Sequence, residues 1–225
     1  MKKTRNGLSL KTKALLIVLF IPVAVTVFTL SAIVWTSINH PDLLKKSANS
    51  LLDLQDRHSD MKIPEEYIPI YIEAAETYNV PWTLLAAHHR IETKFSTMDP
   101  LLSPAGAEGH MQFMPCTFVG WSYPGCGGLG KGNIPEDDKT NPEVIERHGG
   151  YGVDANGDGI ADPYDIEDAI YSAANYLAKS GAANNEIEKA IFDYNRSEKY
   201  VQDVLWFYNK FEESRETIEA SYFGS

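Results

Sequence analysis

The spacing of apolar positions changes character several times along the chain. Residues 14–36, ALLIVLFIPVAVTVFTLSAIVWT, carry no charge. As a helix rising about 1.5 Å per residue they would reach roughly 35 Å, enough for a hydrocarbon layer of about 30 Å, and spanning helices tolerate a proline such as Pro22. From 37 to 62 the chain turns polar, and only Leu43, Leu44, Leu51, Leu52 and Leu54 keep a weak helical spacing, which reads as a stalk. Beyond Ile63 apolar residues return at three- and four-residue steps. They predict helices over 69–78, 81–93, 142–148, 166–179, 185–194 and 198 to about 213. Pro81 suits a first helical position, so NVPW at 79–82 reads as a tight turn between two helices. No alternating run is long enough for a sheet. The chain therefore divides into an N-terminus at 1–13, a transmembrane anchor at 14–36, a stalk at 37–62, a folded domain at 63–214 and a tail at 215–225.

Charge places these parts. Lys2, Lys3, Arg5, Lys11 and Lys13 precede the apolar run with no acid among them, so the positive-inside bias puts residues 1–13 in the cytoplasm and the domain outside a single-pass cell membrane. A cleaved signal peptide is the rival, but the apolar run is longer than a signal's core and no small-x-small cleavage site follows it. The whole chain has 31 acidic and 20 basic residues, a net charge of −11, and the part beyond the run is more acidic still. Such a polyanion excludes nucleic acid as the main ligand. Cys116 and Cys126 fall outside the membrane on this reading, where a disulfide persists. Closing so short a loop contributes about 2.7 kcal/mol on the chain-entropy argument. Spacing alone leaves a free pair open.

Nine of the 16 glycines lie between Gly120 and Gly152, a long loop of the kind that serves as a binding flap. Within it GCGGLGKG opens like a phosphate-cradling loop. Gly132, however, stands where a Ser or Thr should hold magnesium, and NIPEDD does not begin a helix.

The sharpest chemical signal is an acid at the end of an apolar stripe. Leu84, Leu85, His88, Ile91 and Glu92 recur on one face of the helix over 81–93, so Glu92 points inward or into a cleft. Desolvation and the negative end of the helix dipole both raise the pKa of a carboxyl so placed. A glutamate protonated near neutral pH can donate to a leaving oxygen. An exposed Glu92 paired with Arg90 or Lys94 is the alternative. Downstream, SPAGAEGHMQFMP sets Gly106, Ala107 and Gly109 ahead of Met111, Gln112 and Phe113. Small residues let backbone approach a ligand, an amide donates and accepts, and apolar side chains wall a sugar face.

Here the sequence resembles the lysozyme-like lytic transglycosylases, which cut bacterial peptidoglycan. Their helix ending in Glu-Ser, their Ser-x-x-Gly-Ala-x-Gly-Leu-Met-Gln motif and their Tyr-Asn pair read here as Glu92-Thr93, Ser103 to Gln112, and Tyr194-Asn195. The resemblance covers about 64–211. It implies Glu92 as sole general acid and base, cleft contacts from Ser103, Met111, Gln112 and Phe113, and Tyr194 with Asn195 closing on an N-acetyl sugar. Thr93 in place of serine and His110 in place of leucine depart from the pattern. Without a ligand, Tyr194 in the core and Asn195 as a helix C-cap would account for that pair.

DANGDGIADPYDIED at 154–168 carries oxygens at Asp154, Asn156 and Asp158 and a turn glycine, Gly159, the opening of a calcium loop. The backbone of Ile160 would supply the next oxygen. Its twelfth position is Asp165 and not glutamate. Pro163 delays the exit helix, Asp165 looks like the N-cap and Asp168 takes the third helical position, so Asp168 is the preferred last ligand of a structural Ca2+, with Asp165 second. An Asx-rich turn without metal is the plain alternative. The elongated loop and the following DAIYSAANYL also resemble the membrane-bound lytic transglycosylase B branch.

Together these features predict a mainly helical, lysozyme-like domain with a long glycine-rich loop and an EF-hand-like calcium loop, behind an N-terminal transmembrane helix. Its expected activity is that of a peptidoglycan lytic transglycosylase, a lyase leaving 1,6-anhydro-muramic ends. A hydrolytic muramidase using Asp99 or Glu108 to activate water is the first rival, and a non-catalytic cell-wall scaffold the second. Asp99 beside Pro100 and Glu108 in the variable slot of the glycine motif are expected to be solvated.

Overall fold

The structure is a computed structural model and describes residues 10–40, 42, 45 and 62–223. The chain forms two units, Met1–Ser59 and Asp60–Ser225. In the first, a helix α1 runs over Leu10–Asn39. Its described surface mixes apolar residues with Thr26, Thr29, Ser31 and Thr36, and the hydroxyls of Thr29 and Thr36 turn back onto the carbonyls of Thr26 and Ala32. Among the described residues no helix is long and apolar enough to cross a membrane. This corrects the expected transmembrane anchor at 14–36 and the single-pass localisation built on it. The side chains at 10–20, 22–24 and 37 lie outside the described residues, as do residues 1–9 and most of the expected stalk.

The second unit is mainly helical, with no strand among the described residues. Helices α2 (Ile68–Tyr78), α3 (Trp82–Thr93), α4 (Pro115–Val119), α5 (Glu136–Lys139), α6 (Pro142–His148), α7 (Ile166–Lys179), α8 (Ile187–Tyr194) and α9 (Glu198–Phe223) follow in order. α3 is the central one. Residues Trp82 to Arg90 are all buried, as expected of a helix wrapped by neighbours on every side. α9 packs along it, α2 and α7 flank it, and α8 packs on α9 and α7. Ala86 and Ala87, fully buried, bring neighbouring backbones close, while Leu84 and Leu85 supply apolar burial of about 1.5 to 3 kcal/mol each.

Local chemistry sets the ends of these helices. Pro81 caps α3 with an extended backbone, and Asn79 in the left-handed region stops α2, which together make the tight turn read from NVPW. Asn141 and Asp165 cap α6 and α7 by accepting backbone N–H groups of their first turns. α9 extends to Phe223, so residues 215–223 of the expected tail are helical. Long-range contacts that no local pattern reveals hold this extension: Trp82 Nε1 donates to Glu219 at 2.9 Å, and Thr83 donates to Glu212. The glycine-rich segment is pinned by a disulfide between Cys116, at the start of α4, and Cys126.

Candidate active site

Glu92 sits in the last turn of α3 and is partly exposed. Burial raises its carboxyl from the ordinary 4.5 to about 7, and a hydrogen bond from Tyr200 pulls the other way. Tyr200, on α9, donates its hydroxyl proton to Glu92 Oε1, and the same hydroxyl lies 2.9 Å from His88 Nδ1 one turn back on α3. His88 is fully buried, and desolvation lowers its pKa to about 3, so the ring is neutral. Tyr194 packs against His88 with ring centroids 4.8 Å apart and the planes tilted by 51°, and its own pKa is raised by burial and by the Glu92 charge. The acid is thus walled by two phenols and an imidazole.

The glycine motif joins this cluster through Tyr194, and two of its predicted contact residues turn inward upon the motif itself. Ser103 Oγ accepts the N–H of Ala107 at 2.9 Å, closing the turn. Gln112, at a left-handed φ of 51°, folds its amide onto Gly109 O at 2.8 Å. Gly109 is required where it stands: its φ is +77°, and a Cβ there would lie 1.8 Å from Pro163 O. Met111 is buried and offers its carbonyl to the Tyr194 hydroxyl at 2.8 Å, which ties α8 to the motif. Phe113 is also buried and packs on the rings of Phe118, Tyr176 and Tyr194. Asn195 is the exposed C-cap of α8. Glu92, Tyr194, Met111 and Phe113 are thus linked through shared contacts, while Ser103, Gln112 and Asn195 are held by local turn and cap hydrogen bonds.

The two departures from the family motif meet one another. Thr93 Oγ1 donates to the carbonyl of His110 at 2.8 Å and accepts from the N–H of Ser96. His110 then begins a chain whose direction is fixed at one end. Its Nε2 lies 2.9 Å from the Tyr164 carbonyl, which only accepts, so Nε2 carries the hydrogen. Burial lowers the pKa of His110, the Tyr164 hydrogen bond and the charges of Asp165 and Asp162 opposing, so its Nδ1 is bare and accepts from Ser96 Oγ at 2.6 Å. With the single Ser96 hydrogen committed, His89 Nε2–H donates to Ser96 at 2.7 Å and His89 Nδ1 accepts from Tyr71 at 2.6 Å. This chain joins α2 and α3 to the motif. It accommodates three consecutive left-handed residues, Lys94, Phe95 and Ser96.

The rival carboxylates have other surroundings. Glu108 is not solvated as expected. Its Oε2 pairs with Lys139 Nζ at 2.7 Å, and Lys139 also binds Glu136. Burial pulls the Lys139 pKa down, but hydrogen bonds and charge from Glu108 and Glu136 more than offset it, and the ammonium stays charged. Asp99 is exposed, as its turn position suggested.

In the expected calcium loop, Asp154 accepts N–H bonds from Gly157, Asp158 and Gly159, Asn156 accepts from Asp158, and Asp158 accepts from Ile160. Asp168, buried, clasps both ends of the loop: Oδ1 takes Ala155 and Asn156, and Oδ2 takes Asp162 at 2.8 Å. Asp165 is the N-cap of α7, with Asp168 at the third helical position. The donor types suit a hard cation. Among the described residues, though, no group of three or more Asp, Glu, His or Cys side chains converges as a metal site.

Comparison with known proteins adds no relative to this geometry: no family model, no curated protein and no solved structure matches the chain. Sequence reading singled out Glu92 through its place on the stripe but missed Tyr200, which reaches it from 108 positions away. It also missed Lys139 as the partner of Glu108. The one available signal was the pair of motif departures, Thr93 and His110, which turn out to bond each other.

Proposed function

We propose that the domain is a lysozyme-like peptidoglycan lytic transglycosylase, cleaving the bond between N-acetylmuramic acid and N-acetylglucosamine and closing a 1,6-anhydro ring. The observation that carries this reading is a glutamate that burial raises to about 7 against the pull of a hydrogen bond from a phenol, Tyr200, with no second carboxylate acting on it. Such a group is protonated in a large fraction of molecules at neutral pH and becomes a base once it has given its proton away.

In the proposed reaction Glu92 delivers its proton to the glycosidic oxygen as the bond to the muramic anomeric carbon breaks, and the glucosamine leaves as an alcohol. The positive charge on the sugar is met by the substrate's own N-acetyl oxygen. The Glu92 carboxylate then takes the proton of the sugar's 6-hydroxyl, whose oxygen closes on the anomeric carbon. Glu92 ends protonated, and no water is consumed. Two-carboxylate glycosidases need a second acid to steady the sugar or activate water. Glu108 is committed to Lys139, which favours the intramolecular route over the muramidase. Proximity favours it further.

The proposal includes calcium as a structural ion, which oxygens of Asp154, Asn156, Asp158, Ile160 and Asp168 would hold once the loop draws them together. It takes no part in the chemistry. Purified cell wall tests the catalytic reading: the parent should clear it, and Glu92→Gln, folded by circular dichroism, should not. A parent without activity would favour the scaffold reading.

A further inference from the structure

We propose that His88 is a positioning residue that acts through Tyr200 to decide which oxygen of Glu92 carries the transferable proton. This rests on the reading of Glu92 as the acid. The Tyr200 hydroxyl has a single hydrogen, and it goes to Glu92 Oε1. The contact of 2.9 Å between that hydroxyl and His88 Nδ1 can then be a hydrogen bond only if Nδ1–H donates to the phenol oxygen. His88 Nε2, buried and without a partner, is consequently the bare nitrogen.

The other tautomer fails on two counts. A bare Nδ1 would draw the Tyr200 hydrogen away from Glu92, and Nε2–H would become a buried donor with nothing to bind, which is rarer in proteins than a neglected acceptor. The orphaned Nε2 is therefore a cost retained for what the opposite nitrogen does. With Nδ1–H occupying the phenol oxygen, a protonated Glu92 cannot turn its own hydrogen onto Tyr200. Tyr200 still donates to Oε1, so the acid proton resides on Oε2. Without His88 that restriction goes: the carboxylic acid could donate to the phenol, which hides its proton and stabilises the protonated form. The groups facing Glu92 from the neighbouring helices are Tyr200 of α9 and Tyr194 of α8, with His88 on α3 itself, and none carries a charge at neutral pH.

Two measurements test this. Nitrogen-15 spectra of the imidazole in the intact protein should show His88 neutral with hydrogen on Nδ1 between pH 5 and 9. Hydrogen on Nε2 would overturn the proposal whether or not the protein cleaves glycan. The second compares His88→Leu with His88→Asn, whose amide N–H stands near the place of Nδ1–H. On cell-wall glycan, His88→Leu should lose about tenfold in kcat with KM within about twofold, and the titration midpoint of the Glu92 carboxyl, followed by carbon-13 spectra, should rise by about one pH unit. His88→Asn should stay within about threefold of the parent kcat. If His88 only packs, the order reverses, because leucine buries no unsatisfied atom, and the titration of Glu92 does not move. A parent that cleaves no glycan would end the proposed function, while the tautomer and the Glu92 titration would still decide the role of His88. Should His88→Leu fail to fold, the tautomer in the parent decides alone.

Discussion

Replacing Glu92 by glutamine should make the protein more stable at pH 8 while removing its activity. In the folded protein the carboxyl is raised from 4.5 to about 7, so folding holds its proton through that window, and the unfolded chain has lost it. A folded state that binds more protons than the unfolded one loses stability as pH rises, here between about 4.5 and 7. A tenfold change in proton affinity corresponds to about 1.36 kcal/mol, and Glu92 is partly exposed, so the cost of ionising it is about 2 to 3 kcal/mol. Glutamine keeps the shape, leaves an oxygen to accept from Tyr200, and never ionises. Melting of the parent and Glu92→Gln at pH 4, 6 and 8 should therefore show nearly equal stability at pH 4 and a gap of about 2 to 3 kcal/mol in favour of the variant at pH 8, a rise in Tm of roughly 5 to 10 °C for a domain of this size. A gap independent of pH, or a variant less stable at pH 8, would refute a buried and raised carboxyl at this position.

Three further outcomes follow from the same geometry. Calcium should raise Tm and a chelator lower it, with Asp158→Ala abolishing the response; a curve indifferent to both would leave Asp168 alone as the clasp of the loop. Gly109→Ala should destabilise by at least about 2 kcal/mol, since it adds left-handed strain to a clash with Pro163 O, and chemical denaturation measures it. Ser96→Ala should cost about 2 kcal/mol by stranding His89 Nε2–H and His110 Nδ1, and amide exchange should then quicken at Lys94 to Ser96 before the rest of the domain.

What could be read in advance was whatever the chain encodes within a turn or two. The helices over 142–148 and 166–179 match the predicted limits because Asn141-Pro142 and Asp165 mark their starts locally. Glu92 was legible because a stripe at three- and four-residue steps has an inside and an outside. The roles of Tyr200, Lys139 and Glu219 depend on partners far along the chain, and an aromatic or charged residue on a helix does not announce which distant group it will meet. Ser103 and Gln112 carry a local role that the motif did not announce. Motif resemblance casts them as ligand contacts, whereas their nearest hydrogen-bonding groups are the backbone of their own tight turn. The apolar run at 14–36 shows the limit of composition: α1 does form there, yet no helix among the described residues is long and apolar enough to cross a membrane.

The central claim is that one carboxyl, Glu92, serves as acid and then base while the substrate supplies its own nucleophile. Mass spectrometry of the muropeptides released from purified cell wall tests it directly. Intramolecular closure gives 1,6-anhydro ends, lighter by one water, about 18 Da, than the reducing ends that hydrolysis leaves. A single carboxyl acting in both roles predicts anhydro ends from the parent and no release by Glu92→Gln. Reducing ends alone would contradict it and would require a second catalytic carboxylate, with Glu108 freed from Lys139 or Asp99 brought to the cleft.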